Sequence, residues 1–471
     1  MATNCGETVG KIHVMVAKHK QIKNLTMTMD WNLLTSTKRL GRESIEGASE
    51  SRSEYLRDWD RIVYSSAFRR LQDKTQVFPL ADSDYVRTRL THSIEVSSVG
   101  RSLGTLCGEF ILDKGPVPGM VSQDFGSIVA AACLAHDIGN PPFGHSGEDA
   151  IQSWFELHGA RFLEALSESE RLDLLKFEGN AQGFRLVTRL QSSINRGGFQ
   201  LTYAVLAAFA KYPRPSHLPS ATKGYVSEKK FGFYTHDADN FHAIATGTGL
   251  KKKANGAFAR HPLAFLMEAA DDICYGIVDL EDGHRLSRVS FDQARALMWP
   301  IAFPHGQEAG ASYTAIDDNE GRIEYLRARS IGNLIHAVVE VFQSNYDAIM
   351  DGAFERDLAS ECAFAADLKK ISTLSVAEIY TAPTVLQIES AGFEIIGGLL
   401  GKFVPALLSP ESERSRAHKK LVQIVPRQYA SGTTDYQRLL GATDFISGMT
   451  DSSALTLFRR LNGIELPGSS I

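Results

Sequence analysis

Ala135-His-Asp-Ile-Gly-Asn-Pro-Pro-Phe-Gly-His-Ser-Gly-Glu148 is the stretch from which the fold of this chain can be read. Ahead of it, the residues from Ser122, a candidate N-cap, to the apolar run Ile128–Ala135 have helical character, and Gly139 with Pro141 signals a stop. His136 and Asp137 therefore stand on the last turn of a helix. Neighbouring helical positions point about 100° apart, yet two side chains of different length at a helix end can converge on one ion. An imidazole nitrogen beside a carboxylate oxygen suits Mn²⁺, Fe²⁺ or Mg²⁺ better than a thiolate-seeking metal. An isolated His-Asp pair is, as a rule, a helix-end hydrogen bond. The loop that follows sets this pair apart, because its prolines and glycines fix the backbone around two more titratable groups, His145 and Glu148, without serving a core.

Upstream, Arg87-Thr-Arg-Leu-Thr-His92-Ser-Ile-Glu95 opens a second helix whose apolar residues continue through Val96, Val99, Leu103 and Leu106. Arg89 and His92 are one turn apart and share a face. His92 can complete a metal site and Arg89 can reach a phosphate held there; taken alone, His92 reads as a satisfied or exposed histidine. Downstream, His261-Pro262 starts a third helix, with proline suited to its first turn. On it Asp271, Tyr275 and Asp279 recur every fourth residue beside an apolar arc of Leu266, Ala270, Ile273 and Ile277. That stripe is either a solvated acidic face or the third wall of a site.

The rest of the chain shows apolar residues at helical spacing and few alternating β-branched runs, so the fold class is all-α. A loose polar extension, residues 1–30, precedes a catalytic core at 31–300. A Pro-, Gly- and Lys-rich insertion lies at about 213–256, with a short hairpin expected near Phe231–Tyr234. The stretch from Pro300 to Gly321 reads as the loop before a helical C-terminal region, 301–471. Hydrophobic residues at 43% and charged ones at 22% exclude a disordered or fibrous chain. A net charge of −5 supplies no global field toward nucleic acid or anionic lipid, so phosphate binding must be local. Cys5, Cys107, Cys133, Cys274 and Cys362 are odd in number and show no paired spacing, which points to a reducing cytoplasm. The longest apolar run noted, Ile128–Ala135, falls short of the roughly 20 residues that cross a bilayer, and no membrane association is expected. The opening residues lack the order of a signal peptide, and Met27 or Met29 is an alternative start.

In this order, His92, His136-Asp137 and Asp271 resemble the H…HD…D signature of HD-superfamily phosphohydrolases. The flanking words resemble one branch, the deoxyguanosinetriphosphate triphosphohydrolases. The matching words are Phe68-Arg-Arg-Leu-Gln-Asp-Lys-Thr-Gln76, Arg87 to Ser93, His136 to Glu148, Phe177-Glu-Gly-Asn-Ala-Gln-Gly183 and Glu268-Ala-Ala-Asp-Asp-Ile273, with Asp444-Phe-Ile-Ser-Gly-Met-Thr-Asp451 later on. Five separated words over Trp31 to Asp282 make the resemblance specific.

The resemblance implies an HD-type helical core in which His92, His136, Asp137 and Asp271 hold one divalent cation, Mn²⁺ or Mg²⁺, with Fe²⁺ or Zn²⁺ as alternatives. It implies His145 and Glu148 as the catalytic proton-transfer pair, with Arg89, Asn180, Lys211 and Tyr212 on the phosphates. Gln72, Tyr275 and Asp279 would read the deoxyribose. The substrate would be a deoxynucleoside triphosphate, dGTP foremost, and the partners further copies of the chain, a hexamer among the options. Single-stranded nucleic acid is a further candidate effector, through Lys251–Lys253 or Arg69 and Arg70. Two rival readings stand: another HD phosphohydrolase acting on monophosphates or cyclic nucleotides, and a sensor that binds nucleotides or nucleic acid without turnover.

Overall fold

The computed structural model describes residues 28–42, 52–76, 87–191, 196–219 and 224–465. Among them secondary structure is helical, with no strand beyond isolated bridges. Most of the loose extension, residues 1–27, lies outside the described residues; Met29 is buried and its amide donates to the Met350 carbonyl at 2.9 Å.

Nine helices matter here: α1 (Arg89–Lys114), α2 (Ser122–Ala135), α3 (Gly144–His158), α4 (Gly179–Arg185), α5 (Pro262–Arg285), α6 (Asn319–Ser344), α7 (Pro383–Leu408), α8 (Asp435–Ser447) and α9 (Asp451–Leu461). Helix α1 starts because Thr88 and Thr91 cap one another reciprocally, each hydroxyl accepting the other's amide. Gly100, Gly104 and Gly108 form a bare stripe on α1. A Cβ on them would meet Cys133 Sγ at 2.4 Å, the Phe125 carbonyl oxygen at 2.7 Å and the Phe125 ring at 2.9 Å. Their absent side chains let α1 and α2 lie backbone to backbone, which brings the start of α1 to the end of α2. Helix α5 crosses both, with Pro262 in its first turn as expected and His261 Nδ1 accepting the Leu263 amide at 3.1 Å. Helix α6 packs on α1 and α5, while α7 packs on α3, α8 and α9, so one hydrophobic core runs through both halves of the chain.

Several local expectations change. Ser122 is the first residue of α2 rather than its cap; the Asp124 carboxylate accepts the Val121 amide at 3.1 Å, a charged acceptor well placed at a helix start. The hairpin at Phe231–Tyr234 is absent. Phe233 makes a single bridge to Pro215 and stacks on Phe241 at 4.2 Å, so its aromatics fill a core rather than line a sheet. The insertion holds a ten-residue helix, Ala238–Gly247. Pro300 lies inside the helix Phe291–Ala302, near its end, where one lost amide bond costs little. Among the described residues the longest apolar helical segment is Val385–Leu408 of α7, not Ile128–Ala135. By length and composition this segment is long and apolar enough to cross a membrane. Its packing on α3 and α8, with Ile396, Leu399, Leu400, Phe403 and Val404 buried, makes it a core helix of this fold.

Candidate active site

The ends of α1 and α2 and the middle of α5 meet at three side chains. His92, His136 and Asp271 each present one ligand atom, all within 4.8 Å of one another. His92 Nε2 lies 3.1 Å and His136 Nε2 3.4 Å from Asp271 Oδ1. His136 Nδ1 donates to the Cys133 carbonyl oxygen at 2.6 Å, which fixes the tautomer and leaves the Nε2 lone pair facing the cluster. Burial works against charge here, yet Asp137 and Asp271 push the His136 pKa up to about 9. Likewise Asp271, despite its burial, is held well below the usual carboxylate range by His136, His92 and Lys211. A field that draws a proton onto a buried imidazole is one that suits a cation, and the N,N,O donor set fits a first-row divalent ion or Mg²⁺.

Asp137 stands at the edge of this cluster, its Oδ1 3.5 Å from His136 Nε2. Its Oδ2 accepts from Arg89 Nη1 at 2.9 Å and its Oδ1 from Asn140 Nδ2 at 2.6 Å. Arg89 and His136 keep its carboxyl down at about 2 against the effect of burial. Arg89 therefore braces Asp137, and its Nε is buried without a hydrogen-bond partner.

The turn after Asn140 leads into α3, where His145 is exposed and Glu148 buried. His145 Nδ1 meets Glu148 Oε2 at 3.0 Å, and Glu148 Oε1 accepts the Gly179 amide at 2.7 Å. Burial would raise the Glu148 pKa, but His145, Lys230 and that amide lower it, so Glu148 is ionised and orients the ring. The first residue of α3 lies against Arg89, since a Cβ on Gly144 would sit 2.7 Å from Arg89 Nη2.

Lys211 Nζ lies 3.6 Å from Asp271 Oδ2 and near the Tyr212 ring. Against burial, Tyr212 and the carboxylates of Asp271 and Glu268 raise its pKa, so it stays charged. Asn180, on α4, donates to Glu178 Oε1 at 2.7 Å. Tyr275 and Asp279 lie one and two turns beyond Asp271. Tyr275 is half exposed and stacks on Tyr380 with ring centres 5.6 Å apart. Asp279 Oδ2 accepts from the Tyr380 hydroxyl at 2.7 Å, and burial pushes its carboxyl up to about 7. A cavity of about 610 Å³ opens beside Tyr212 and Tyr275, with Glu268, Asp272 and Lys369 in its wall. Gln72 is exposed on the 3-10 turn Leu71–Asp73, and none of the hydrogen bonds just described involves it.

Two participants escaped the sequence reading. Lys230 lies 3.1 Å from Glu178 and 3.7 Å from Glu148, and its only signal was membership of a Lys-rich loop. Tyr380 comes from the C-terminal region, and no word in the sequence marked it. The basic residues offered to nucleic acid are largely engaged within the fold. Lys251 donates to the Asp351 carbonyl, Lys253 to Ser227 Oγ and Glu355, and Arg70 to the Gly448 carbonyl.

A family model of the HD domain matches residues 89–196, the segment that carries His92, His136, Asp137, His145 and Glu148. A deoxyguanosinetriphosphate triphosphohydrolase-like protein of Synechocystis sp. is 42% identical over 447 residues, covering 93% of this chain and all of the relative. The chain belongs to the deoxyguanosinetriphosphate triphosphohydrolase-like family of HD-domain proteins. Another member of this family, from Pseudomonas aeruginosa, is 37% identical over 448 residues, again covering 93% of this chain and all of its own length. A deoxyguanosinetriphosphate triphosphohydrolase of Yersinia pestis is 32% identical over 484 residues, covering 87% of this chain and 93% of its own. Membership thus extends well beyond the HD segment and takes in the C-terminal helices.

Proposed function

We propose that this protein is a divalent-metal-dependent hydrolase that splits a deoxynucleoside triphosphate, dGTP foremost, into deoxynucleoside and inorganic triphosphate. One observation carries the reading: His92, His136 and Asp271 form a cation-seeking cluster, Asp137 at their edge is held by Arg89, and Arg89 lies against Gly144, the residue before His145. A cation held there, Mn²⁺ or Mg²⁺, supplies Lewis acidity that offsets the charge of the phosphate under attack.

The chain's own residues do the rest. Arg89, Lys211, Lys230 and Tyr212 line the cleft with charge and hydrogen-bond donors for a substrate that carries about four negative charges. Asn180 is a further donor once released from Glu178. His145, oriented by Glu148, either protonates the departing 5′ oxygen or assists the attacking water. Asp279 accepts the 3′ hydroxyl, Tyr275 packs under the sugar where a 2′ hydroxyl would collide, and Gln72 completes the sugar contacts. The protein would act in the cytoplasm as a homo-oligomer.

Incubation with Mn²⁺ and each of the four deoxynucleoside triphosphates, followed by product separation, tests the reading. Inorganic triphosphate is the expected product; triphosphates left untouched, with orthophosphate released from deoxynucleoside monophosphates in a parallel incubation, would replace the reading with the rival phosphohydrolase.

A further inference from the structure

The turn that delivers His145 is conformationally costly. Phe143 has φ +63° and Gly144 φ +59°, two successive left-handed residues, the first of them a bulky aromatic that disfavours this region. What holds it comes from the far end of the chain. Asp451, buried at the first residue of α9, accepts the Phe143 amide on Oδ1 at 2.9 Å. Its Oδ2 accepts both the Thr75 amide, at 3.0 Å, and the Thr75 hydroxyl, at 2.5 Å. Next to it, the buried Lys74 ammonium donates to the Asn140 carbonyl and to the Ser447 carbonyl, the latter at 2.9 Å. The Lys74 carbonyl in turn accepts the Arg89 amide at 3.1 Å, at the start of the helix that carries His92. Three segments far apart in sequence are thus knotted at the base of the catalytic turn. Asp451 spends its carboxylate on that knot, while Thr450 caps α9.

We propose that Asp451 is a positioning residue for the His145–Glu148 pair: its carboxylate, supplied by the C-terminal region, holds the Phe143–Gly144 turn that aims α3 into the cleft. The proposal rests on the function proposed above, in which that pair moves the proton. The ligand cluster sits on α1, α2 and α5 and touches the knot through Lys74 and Asn140, whose bonds do not use the Asp451 carboxylate. Loss of Asp451 should therefore uncouple the proton-transfer pair from the metal end without dismantling it.

The isosteric Asp451→Asn variant places an amide N–H₂ where an oxygen accepts, so either the Phe143 amide or the Thr75 donors lose their partner. In the full-length, metal-loaded protein the expected result is a fall in kcat of about ten- to a hundredfold, with KM changed less than about threefold. Metal retention should stay unchanged. Hydrogen exchange should accelerate in residues 140–147 and stay as in wild type over α1 and α5. Ser452→Ala, which removes the neighbouring exposed bond to Asp73, should leave both kcat and exchange unchanged. A kcat in Asp451→Asn within about twofold of wild type, or unaltered exchange at 140–147, would overturn the proposal. Should that variant not fold, wild type decides: the Phe143 amide must exchange as slowly as those of α3, and fast exchange there sinks the idea. If wild type hydrolyses no deoxynucleotide, the proposed function falls, while the exchange measurements still settle whether Asp451 holds the turn.

Discussion

The two ends of the cleft are built on different principles. At the metal end, His92, His136 and Asp271 are packed among helices α1, α2 and α5, with ligand atoms within 4.8 Å and a backbone carbonyl setting one tautomer. At the other end, Tyr275 is half exposed, and Asp279 is completed by Tyr380, which arrives from a separate helical turn more than a hundred residues later. The first end is assembled from the termini and middle of long, mutually packed helices and has little freedom to move. The second is a contact between α5 and the C-terminal region, and partial exposure leaves it room to adjust. Under the proposed function, rigid geometry suits a group that stays fixed throughout turnover, whereas the end assigned to the sugar must open to admit substrate and release nucleoside.

The largest effect is expected at the metal end. Asp271→Asn keeps the shape of the side chain but removes the charge that draws a cation between the histidines. Metal content by elemental analysis and triphosphate release should both be lost while the helical circular dichroism spectrum survives. Full metal retention in that variant would erase the distinction between the two ends. His145→Ala should be milder and different in kind: a rate loss of about 10²- to 10⁴-fold with metal content and substrate binding kept. A concurrent loss of metal would show that the pair and the cluster are one unit rather than neighbours.

The rigidity of the metal end also has a pH signature. His261 is fully buried, accepts the Leu263 amide on Nδ1 at the start of α5 and donates from Nε2 to the Leu34 carbonyl at 3.0 Å. Burial drives its pKa from 6.5 down to about 4, so it is neutral in the folded protein. The unfolded chain takes up a proton there below pH 6.5 and the folded one does not until about pH 4. Stability is therefore full above that window and falls as pH drops through it, by about 2 kcal/mol at pH 5 from this residue. Denaturant titrations of wild type and His261→Asn at pH 7.5 and 5 check it, on a scale of about one pKa unit per 1.4 kcal/mol. The pH slope should flatten in the variant, whose amide oxygen can still cap the helix.

The same contrast decided how much could be read from sequence. His92, His136 and Asp271 were brought into one set by the family resemblance, since helix ends and a helical stripe left each of them open to a bland reading, and the structure gathers the three within 4.8 Å. His145 and Glu148 were legible because prolines and glycines around them had no other use. Tyr380 and Lys230 carried no local signature, and Lys74 and Asp451 stood in matching words that said nothing of their role: each acts through hydrogen bonds or ion pairs to segments that only tertiary packing brings near. The same blindness produced the hairpin at Phe231–Tyr234. A run of aromatics looks β-like by composition, but the Phe233–Phe241 stack shows it packing a helical core. It also hid α7, whose apolar character is spread over glycines, alanines and leucines and interrupted by Glu389 and Glu394.

The smallest expected effect, at the sugar end, is also the one that most sharpens the comparison. Tyr380 touches Asp279 through its hydroxyl and Tyr275 through both hydroxyl and ring, so Tyr380→Phe removes the hydroxyl contacts and keeps the ring stack. The hydroxyl donates to the carboxylate and opposes the burial that pushes Asp279 up to about 7. Without it the carboxyl rises further, and at pH 7 a larger share is protonated and accepts the 3′ hydroxyl less strongly. The expected outcome is a KM for deoxynucleoside triphosphate raised about three- to tenfold at pH 7, with kcat little changed. In wild type KM should climb as pH falls through about 7, and in the variant the climb should begin at higher pH. Superimposable KM profiles would mean that Tyr380 only fills space, and that α5 alone reads the sugar. A KM shift accompanied by loss of metal would mean instead that the two ends act as one, coupled through the electrostatic contact of Asp279 with His92.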